Sequence, residues 1–176
     1  MIILVIDIGG TSIKMGMSGR EDRLKIPSGP ALTAEKMVLA VTRATESWNY
    51  EAISIGYPGP VVHGKPVEEP KNLASGWGGF EYEKAFDKPL RMVNDAAMQA
   101  LGGYQGGRML FLGLGTGLGP ALVVEGVLQP LELPHLPYRR DRTYEDYLGR
   151  RGYDRLGRKK WQRHVEKVVK LLKHGL

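Results

Sequence analysis

Two glycine-rich turns, each placed between apolar runs, constrain the fold of this chain more than any other feature. The first turn follows the apolar run 2–7 and precedes a second strand-like run at 12–17. The same order of strand, glycine turn and strand recurs over residues 109–124, with its turn at 113–119. Short apolar runs bounded by glycine predict strands joined by tight turns. Because successive N–H groups in such turns can form anion sites, the pattern predicts two phosphate-binding hairpins, with ordinary hairpin turns as the alternative.

The composition is that of a soluble globular protein and excludes several other classes. The chain has 176 residues, 42% of them apolar and 25% charged, which fits about one domain or two small lobes. No apolar run approaches the roughly 18 residues of a membrane-spanning helix, and the apolar start lacks the basic segment of a signal peptide. Cysteine is absent, which excludes disulfides, zinc–thiolate sites and thiol catalysis. We therefore expect a cytoplasmic protein that has no membrane partner.

Positive charge is concentrated towards the C-terminus. From Arg139 onward the chain holds 13 Lys or Arg and 5 Asp or Glu, net +8, whereas residues 1–138 hold 12 and 14, net −2. This asymmetry argues against a polyanion-binding surface over the whole protein. Whether the basic segment binds a polyanion or is a solvated face stays open. Several of its cations are expected to share one helical region: Arg155, Arg158, Lys159, Lys160 and Arg163.

Helix starts are predicted at three places. Thr33 is a candidate N-cap for a helix whose apolar residues recur at intervals of 4, 3 and 4. Asn94 and Asp95 end a short apolar strand and begin a helix at once. Thr143 is a second candidate N-cap, and a cationic helix with an apolar stripe ends the chain.

Two carboxylates stand where they could take part in phosphate chemistry. Asp7 ends the first predicted strand, where it could hold a hydrated Mg²⁺ beside a phosphate. Asp95 stands at the strand-to-helix junction, where it could accept a proton from a hydroxyl that attacks a phosphoryl group. Its plainer role is that of a helix N-cap, and the two roles can coexist. Neither glycine turn leads directly into a helix, which excludes a Walker loop and a dinucleotide fingerprint.

Six short segments stand in order between residue 1 and about residue 140. They are D-I-G-G-T-S-I-K from Asp7, I-G-Y-P-G-P from Ile55, N-L from Asn72 with Trp77 after it, V-N-D-A from Val93, L-G-T-G-L-G from Leu114 and E-L-P-H-L from Glu132. As a set they resemble the motifs of the ROK family of repressors and kinases, within the sugar kinase, hexokinase, actin and Hsp70 superfamily. The tail after them is most similar to the polyphosphate glucokinase branch of that family.

The resemblance implies an α/β fold with the ribonuclease-H-like sheet of the actin and hexokinase type, in two lobes. Residues 1–95 would form the N-terminal lobe, with the first phosphate turn and a sugar loop. Residues 96–176 would form a C-terminal lobe, with the second phosphate turn and the basic helical tail.

The resemblance also implies roles for individual residues. Asp95 would be the catalytic base and Asp7 the metal ligand. The sugar would be bound by Asn72, Asn94, Glu132 and His135, and the phosphates by Asp7, Gly9, Gly10, Thr11, Gly115, Thr116 and Gly117. Each sugar ligand has a plainer alternative as a surface group, a cap or a loop-ordering residue, and Trp77 could either wall the sugar pocket or pack beneath the loop.

Two departures from the family pattern matter. ROK proteins often carry a cysteine-rich zinc motif after the segment that corresponds to Glu132, and no zinc is expected here because cysteine is absent. The family also has a late Gly-Gly adenosine motif, and no Gly-Gly pair follows Gly119. The chain therefore resembles a family member that lacks its C-terminal end, and the second lobe is expected to be incomplete.

These features predict a sugar kinase that transfers a phosphoryl group from polyphosphate or ATP to a hexose, with glucose at its 6-hydroxyl as the leading substrate and Mg²⁺ as cofactor. A non-catalytic sugar or nucleotide sensor and a nucleotide-gated interaction protein remain alternatives. DNA binding is not expected, because the first motif begins at Asp7 and no helix-turn-helix precedes it. Whether the protein forms a homodimer stays open.

Overall fold

The first glycine turn joins two antiparallel strands, as the sequence predicts. The computed structural model describes residues 1–131 and 133–175. The chain divides into two units, Met1–Gln99 and Ala100–Leu176. This division falls a few residues after the predicted lobe boundary at residue 95, and the roles assigned to the two lobes stay predictions.

The elements up to residue 103 form the first unit and the start of the second. In chain order they are β1 (Ile3–Ile8), β2 (Ser12–Met17), β3 (Arg23–Pro27), α1 (Ala34–Ala44), β4 (Ala52–Tyr57), β5 (Val61–Val62), β6 (Lys65–Pro66), α2 (Tyr82–Phe86), β7 (Leu90–Asn94) and α3 (Asp95–Gly103). Five of the strands form one mixed sheet in the order β3-β2-β1-β4-β7.

The sheet brings the ends of three parallel strands to one edge. β4 is parallel to both β1 and β7, whereas β2 is antiparallel to β1 and β3. The register pairs Asp7 with Gly56, and Gly56 with Val93. The carboxyl ends of the parallel strands therefore carry the first glycine turn, the turn after β4 and the Asn94–Asp95 junction.

The core of the first unit lies around the central strand and α1. Alternate residues of β1, namely Leu4, Ile6 and Ile8, are fully buried, as expected for a strand in the middle of a sheet. Thr33 caps α1 by accepting a hydrogen bond from the Lys36 N–H at 3.3 Å, which confirms the predicted helix start. The helix places Met37 in the same core. α1 ends at Ala44, so the last position of the predicted 4, 3, 4 spacing of apolar residues lies beyond the end of the helix.

The second unit is built from an antiparallel sheet followed by short helices. Its further elements are β8 (Arg108–Leu114), β9 (Leu118–Val124), β10 (Val127–Pro130), a 3₁₀ helix (Leu133–His135), β11 (Pro137–Arg139), β12 (Arg142–Thr143), α4 (Tyr144–Leu148), α5 (Arg150–Leu156) and α6 (Arg158–Gly175). β8, β9 and β10 form one sheet in the order β10-β9-β8. The second glycine turn joins β8 to β9, so it too is a hairpin turn.

The helices of the second unit start and pack as their sequence predicts. Thr143 and Asp146 form a reciprocal capping box at the start of α4. Leu118, Leu148 and Val168 belong to one buried cluster, so α6 covers β9 and α4 with its apolar stripe. Within the residues that the structure describes, no helix is both long and apolar enough to cross a membrane.

The prediction of one shared helical region is wrong for Arg155, whereas Arg158, Lys159, Lys160 and Arg163 do lie together on α6. Gly157 has a φ of +73°, which ends α5 before α6 begins. Arg155 lies on α5, donates a hydrogen bond to the Asp146 carbonyl at 2.8 Å and stacks 4.7 Å from the centre of the Tyr147 ring. The cations of α6 therefore form a separate group that begins at Arg158.

Candidate functional site

The first glycine turn has a carboxylate on one side and an ammonium group on the other. Asp7 on β1 pairs with Lys14 on β2, and the Lys14 Nζ lies 3.3 Å from the Asp7 Oδ2. The Asp7 side chain is mostly buried, whereas that of Lys14 is exposed. Lys14 has no predicted role. Its position on the second strand, opposite Asp7 across the turn, is the sequence signal for this ion pair.

Within the first unit, the carbonyl groups of Gly9 and Thr11 and the N–H group of Gly9 form hydrogen bonds. Ser28 donates its hydroxyl to the Gly9 carbonyl and its N–H to the Thr11 carbonyl. The Gly9 N–H donates to the Ser12 carbonyl at 3.0 Å. In the described part of the chain, nothing accepts a hydrogen bond from the N–H of Gly10 or Thr11. These two groups are available to an anion, as the predicted phosphate site requires.

The predicted sugar loop lies against the same turn. A β-carbon built on Gly10 would lie 3.0 Å from the Asn72 Cβ, so the absence of a side chain at Gly10 allows this close approach. The structure therefore brings Asn72 to the first glycine turn, as the hypothesis of a shared site needs. Its hydrogen bonds to a sugar remain a prediction.

A glutamate that the sequence analysis missed closes this loop. The Glu69 carboxylate accepts hydrogen bonds from the N–H groups of Trp77 and Gly78, each at 3.1 Å. These bonds lower the pKa of Glu69, the Trp77 N–H contributing most. These hydrogen bonds join the start of the loop at Glu69 to its end at Trp77 and Gly78, and Asn72 lies in the segment between them. A single acidic residue eight positions before Trp77 gives no sequence signal that distinguishes a loop clamp from a solvated charge.

Trp77 packs beneath the loop. Its side chain is fully buried, and its ring centre lies 5.9 Å from that of Tyr57. The Tyr82 hydroxyl donates to the Trp77 carbonyl at 2.9 Å. Of the two roles considered for Trp77, the structure thus supports packing.

Asn94 caps α3. Its Oδ1 accepts hydrogen bonds from the N–H groups of Ala96 and Ala97, at 3.0 and 3.3 Å. Its Nδ2 donates to the Gly59 carbonyl at 3.1 Å, which ties the junction to the turn after β4. The cap that the sequence analysis offered as the plainer role of Asp95 is thus formed by Asn94. A side-chain hydrogen bond from Asn94 also lowers the pKa of Asp95. The role of Asn94 in sugar binding stays a prediction.

Asp95 combines partial burial with a neighbouring negative charge. Burial raises its pKa most, and the charge of Asp7 raises it further, whereas the hydrogen bond that it accepts from the Ala96 N–H at 2.8 Å lowers it. A carboxylate with a raised pKa is a stronger base than an exposed one. Gly56 allows this arrangement, because a β-carbon there would lie 3.3 Å from the Asp95 Cα and 2.5 Å from the Met98 Cε.

The second glycine turn is hydrogen-bonded by residues of α4 and the start of α5. The Arg150 N–H donates to the carbonyls of Gly115 at 3.0 Å and Thr116 at 3.2 Å. The Leu118 N–H donates to a carboxylate oxygen of Glu145 at 3.1 Å. Among residues 1–131 and 133–175, the N–H groups of Thr116 and Gly117 have no acceptor. This turn too therefore offers free N–H groups.

A cavity of about 460 Å³ opens beside the second turn, within the second unit. Its walls come from the turn and from the helices that follow: Leu114, Gly115, Thr116, Leu148, Gly149, Arg150, Tyr153 and Trp161. The Trp161 Nε1 donates to the Leu148 carbonyl at 2.9 Å, which fixes the indole in the wall. The lining thus combines the free N–H group of Thr116 with two aromatic rings and with Arg150, whose guanidinium pairs with Asp154 at 2.9 Å.

Of the two remaining predicted sugar ligands, Glu132 and His135, only His135 lies among the residues that the structure describes. His135 is exposed at the end of the 3₁₀ helix. Glu132 lies outside the described residues. Within the described ranges, no group of three or more His, Asp or Glu side chains could hold a metal ion.

Comparison with known proteins finds relatives among the sugar kinases. No protein-family model matches the sequence. A glucokinase of Pyrobaculum calidifontis is 27% identical over 131 residues, which are 71% of this chain and 40% of that protein. The structure of an inorganic polyphosphate/ATP-glucomannokinase from Arthrobacter sp. strain KM has a TM-score of 0.74 at 25% identity, over 95% of this chain and 79% of that one. A ROK hexokinase from Thermus thermophilus gives 0.70 at 25% identity, over 88% and 62%.

These likenesses confirm the predicted fold class and the resemblance to the ROK sugar kinases. The mixed α/β architecture is that of the ROK sugar kinase fold. The chain spans less than half the length of the glucokinase that it matches.

Proposed function

We propose that this protein is a sugar kinase that transfers the terminal phosphoryl group of polyphosphate or ATP to a hexose, with the 6-hydroxyl of glucose as acceptor. One observation carries the proposal. Asp95, a partly buried carboxylate with a raised pKa, lies at the same sheet edge as Asp7 and the free N–H groups of Gly10 and Thr11. This edge can accept a proton and bind an anion, which are the two requirements of phosphoryl transfer to a hydroxyl.

In the proposed reaction, the sugar hydroxyl oxygen forms a bond to the terminal phosphorus of the donor. The bond from that phosphorus to the bridging oxygen breaks, and the donor leaves one phosphoryl group shorter. The hydroxyl proton passes to the carboxylate of Asp95. Because charge in this reaction is spread over phosphoryl oxygens, the N–H groups of the turns contribute by orienting the donor and stabilising that charge.

Asp7 fits the chemistry of a Mg²⁺ site. Mg²⁺ binds through one or two carboxylates, phosphate oxygens and water, so it does not need a cluster of protein ligands. The Asp7 carboxylate has one oxygen near Lys14 and lies beside the free N–H groups of the first turn. When bound, the ion would neutralise charge on the donor phosphates.

The donor would bind along the second turn and its cavity. The N–H groups of Thr116 and Gly117 would contact phosphate, and Gly115 would keep the approach open because nothing lies within 4 Å of its missing side chain. The walls from Tyr153 and Trp161 would suit the base of ATP, whereas the cations at the start of α6 would suit polyphosphate. The sugar would be held by Asn72, Asn94, Glu132 and His135.

Turnover distinguishes this proposal from a non-catalytic sugar or nucleotide sensor. The test is to incubate the chain with Mg²⁺ and a panel of hexoses, with ATP and polyphosphate in parallel, and to detect sugar phosphate. Calorimetry with the same sugars and donors shows whether they bind. Product with at least one pair supports the kinase, sugar binding without product supports the sensor, and donor binding without sugar binding or product supports the interaction protein.

A further inference from the structure

A carboxylate lies against the second glycine turn, where a donor phosphate is proposed to bind. Glu145, in the first turn of α4, accepts the Leu118 N–H at 3.1 Å. A β-carbon built on Gly117 would collide with the same carboxylate oxygen. Glu145 therefore occupies the space that the missing side chain of Gly117 leaves open.

The contacts that α4 and the start of α5 make with the second glycine turn account for the orientation of its peptide groups. The Arg150 N–H donates hydrogen bonds to the carbonyls of Gly115 and Thr116. Gly149 packs directly behind them, because a β-carbon there would lie 3.2 Å from the Thr116 carbonyl oxygen. With the carbonyls held on that side and the Leu118 N–H bound to Glu145, the N–H groups of Thr116 and Gly117 are those left without an acceptor in the described residues.

We propose that Glu145 is a positioning residue for the phosphoryl donor, an inference that rests on the proposed function. Its carboxylate removes the Leu118 N–H from the set that can bind phosphate. The donor is thereby confined to the N–H groups of Thr116 and Gly117. Without this acceptor, the turn can shift towards β9 and phosphate can bind in more than one position.

The charge of Glu145 works against a bound anion, so its hydrogen bond and its charge have opposite effects on donor binding. Gln keeps an oxygen that accepts the Leu118 N–H and removes the charge. Ala removes both. Comparing Glu145→Gln with Glu145→Ala therefore separates positioning from repulsion.

The experiment measures donor and sugar binding by calorimetry, together with kcat and the KM for each substrate. The donors are ATP and inorganic polyphosphate, and the variants are Glu145→Ala, Glu145→Gln and Glu166→Ala. Glu166 is an exposed glutamate on α6 and serves as the matched control. We expect Glu145→Ala to weaken donor binding by about tenfold or more, the loss typical of a hydrogen bond to a charged group. Sugar affinity should stay unchanged, and Glu145→Gln should restore donor binding to within about threefold of the wild type.

A second variant keeps the test decisive if Glu145→Ala is poorly folded. Gly117→Ala should displace the carboxylate and weaken donor binding by itself. Sugar affinity should stay unchanged in Gly117→Ala. Unchanged donor binding in a folded Gly117→Ala variant would contradict a turn that Glu145 positions.

The outcomes separate this inference from the proposed function. Turnover with a normal donor KM in Glu145→Ala would overturn the role of Glu145 and leave the kinase intact. Donor affinity that depends on Glu145 in a chain that yields no sugar phosphate would do the reverse. Donor binding that becomes tighter in Glu145→Ala than in the wild type would show that repulsion outweighs positioning, and would overturn the inference.

Discussion

The two glycine turns look alike in sequence, yet the molecule supports them in different ways. The first is held by its own hairpin and the adjoining strand end, through the Asp7–Lys14 pair and Ser28. The second is held by the α4–α5 segment, with Glu145 and Arg150 as its contacts. Both offer two free N–H groups, but the first also has Asp95 at its sheet edge. Under the proposed function, this difference assigns proton transfer to the first turn and donor specificity to the second.

The largest effect should come from the carboxylate near the first turn. Asp95→Asn keeps the shape of the side chain and an acceptor for the Ala96 N–H, but it cannot take the proton. We expect the transfer rate to fall by about 10² to 10⁴, the typical loss for a general base, with sugar affinity within about tenfold of the wild type. Asp87→Asn, an exposed aspartate with φ of +50° that Asn also tolerates, is the control.

The pH profile of the same pair of proteins sharpens this prediction. Burial and the charge of Asp7 raise the pKa of Asp95, so its base form is lost at a higher pH than that of an exposed aspartate as the solution is acidified. The acid limb of kcat/KM should therefore lie above the usual aspartate range and should be missing from the residual activity of Asp95→Asn. An unchanged limb in the variant would assign it to another group.

Substitution of one glycine in each turn tests the division of labour directly. Gly10→Val should weaken both donor and sugar binding, because its side chain would meet Asn72 as well as the turn. Gly117→Val should weaken donor binding alone, because its side chain would meet Glu145. We expect losses of about tenfold or more, since a branched side chain at either site must displace a packed neighbour.

From the sequence alone, both glycine substitutions are expected to weaken donor binding more than sugar binding, and the contact between Gly10 and Asn72 changes that expectation for Gly10. Neither glycine has a positive φ, so close approach rather than backbone conformation is the cause. Gly102→Ala on α3, where nothing lies within 4 Å, is the control. Equal effects of Gly10→Val and Gly117→Val on both ligands would remove the distinction between the turns.

A smaller effect is expected from the clamp on the sugar loop. Glu69→Ala should raise the sugar KM by about three- to tenfold with little change in kcat, because the loop that carries Asn72 loses its two charged hydrogen bonds. Glu69→Gln should restore part of the loss, since it keeps an acceptor. Glu68→Ala, at the neighbouring exposed glutamate, is the control. A changed donor KM with an unchanged sugar KM would contradict a role in the sugar loop.

The smallest effect concerns the cations of α6. Replacing Arg158, Lys159 and Lys160 together by Gln should raise the polyphosphate KM about two- to fivefold at low salt and flatten its salt dependence, with little change for ATP. Arg155 is left out because it is bound to α4. Unchanged polyphosphate kinetics in this triple variant would assign the cations to a solvated surface.

The features that the sequence predicted are those whose signals are local. Both hairpins, the caps at Thr33 and Thr143 and the strand-to-helix junction at Asn94 depend on neighbouring residues, and the structure has each of them. Glu145 was not predicted, because its partner Leu118 lies 27 residues away and a lone glutamate is usually solvated. Glu69 was missed for the same reason. Asn94 and Asp95 are both residue types that can cap a helix, so side-chain geometry rather than residue type decides that Asn94 accepts the N–H groups of Ala96 and Ala97.

The most direct test of the central claim is ³¹P NMR of a mixture of the protein, Mg²⁺, glucose and either ATP or polyphosphate. We expect the signal of a phosphomonoester with the shift and coupling of a hexose 6-phosphate to grow with the wild type, and to grow at least about 10²-fold more slowly with Asp95→Asn. The absence of this signal with both donors, or its growth at equal rates in the two proteins, would contradict the assignment of phosphoryl transfer to the edge that holds Asp95.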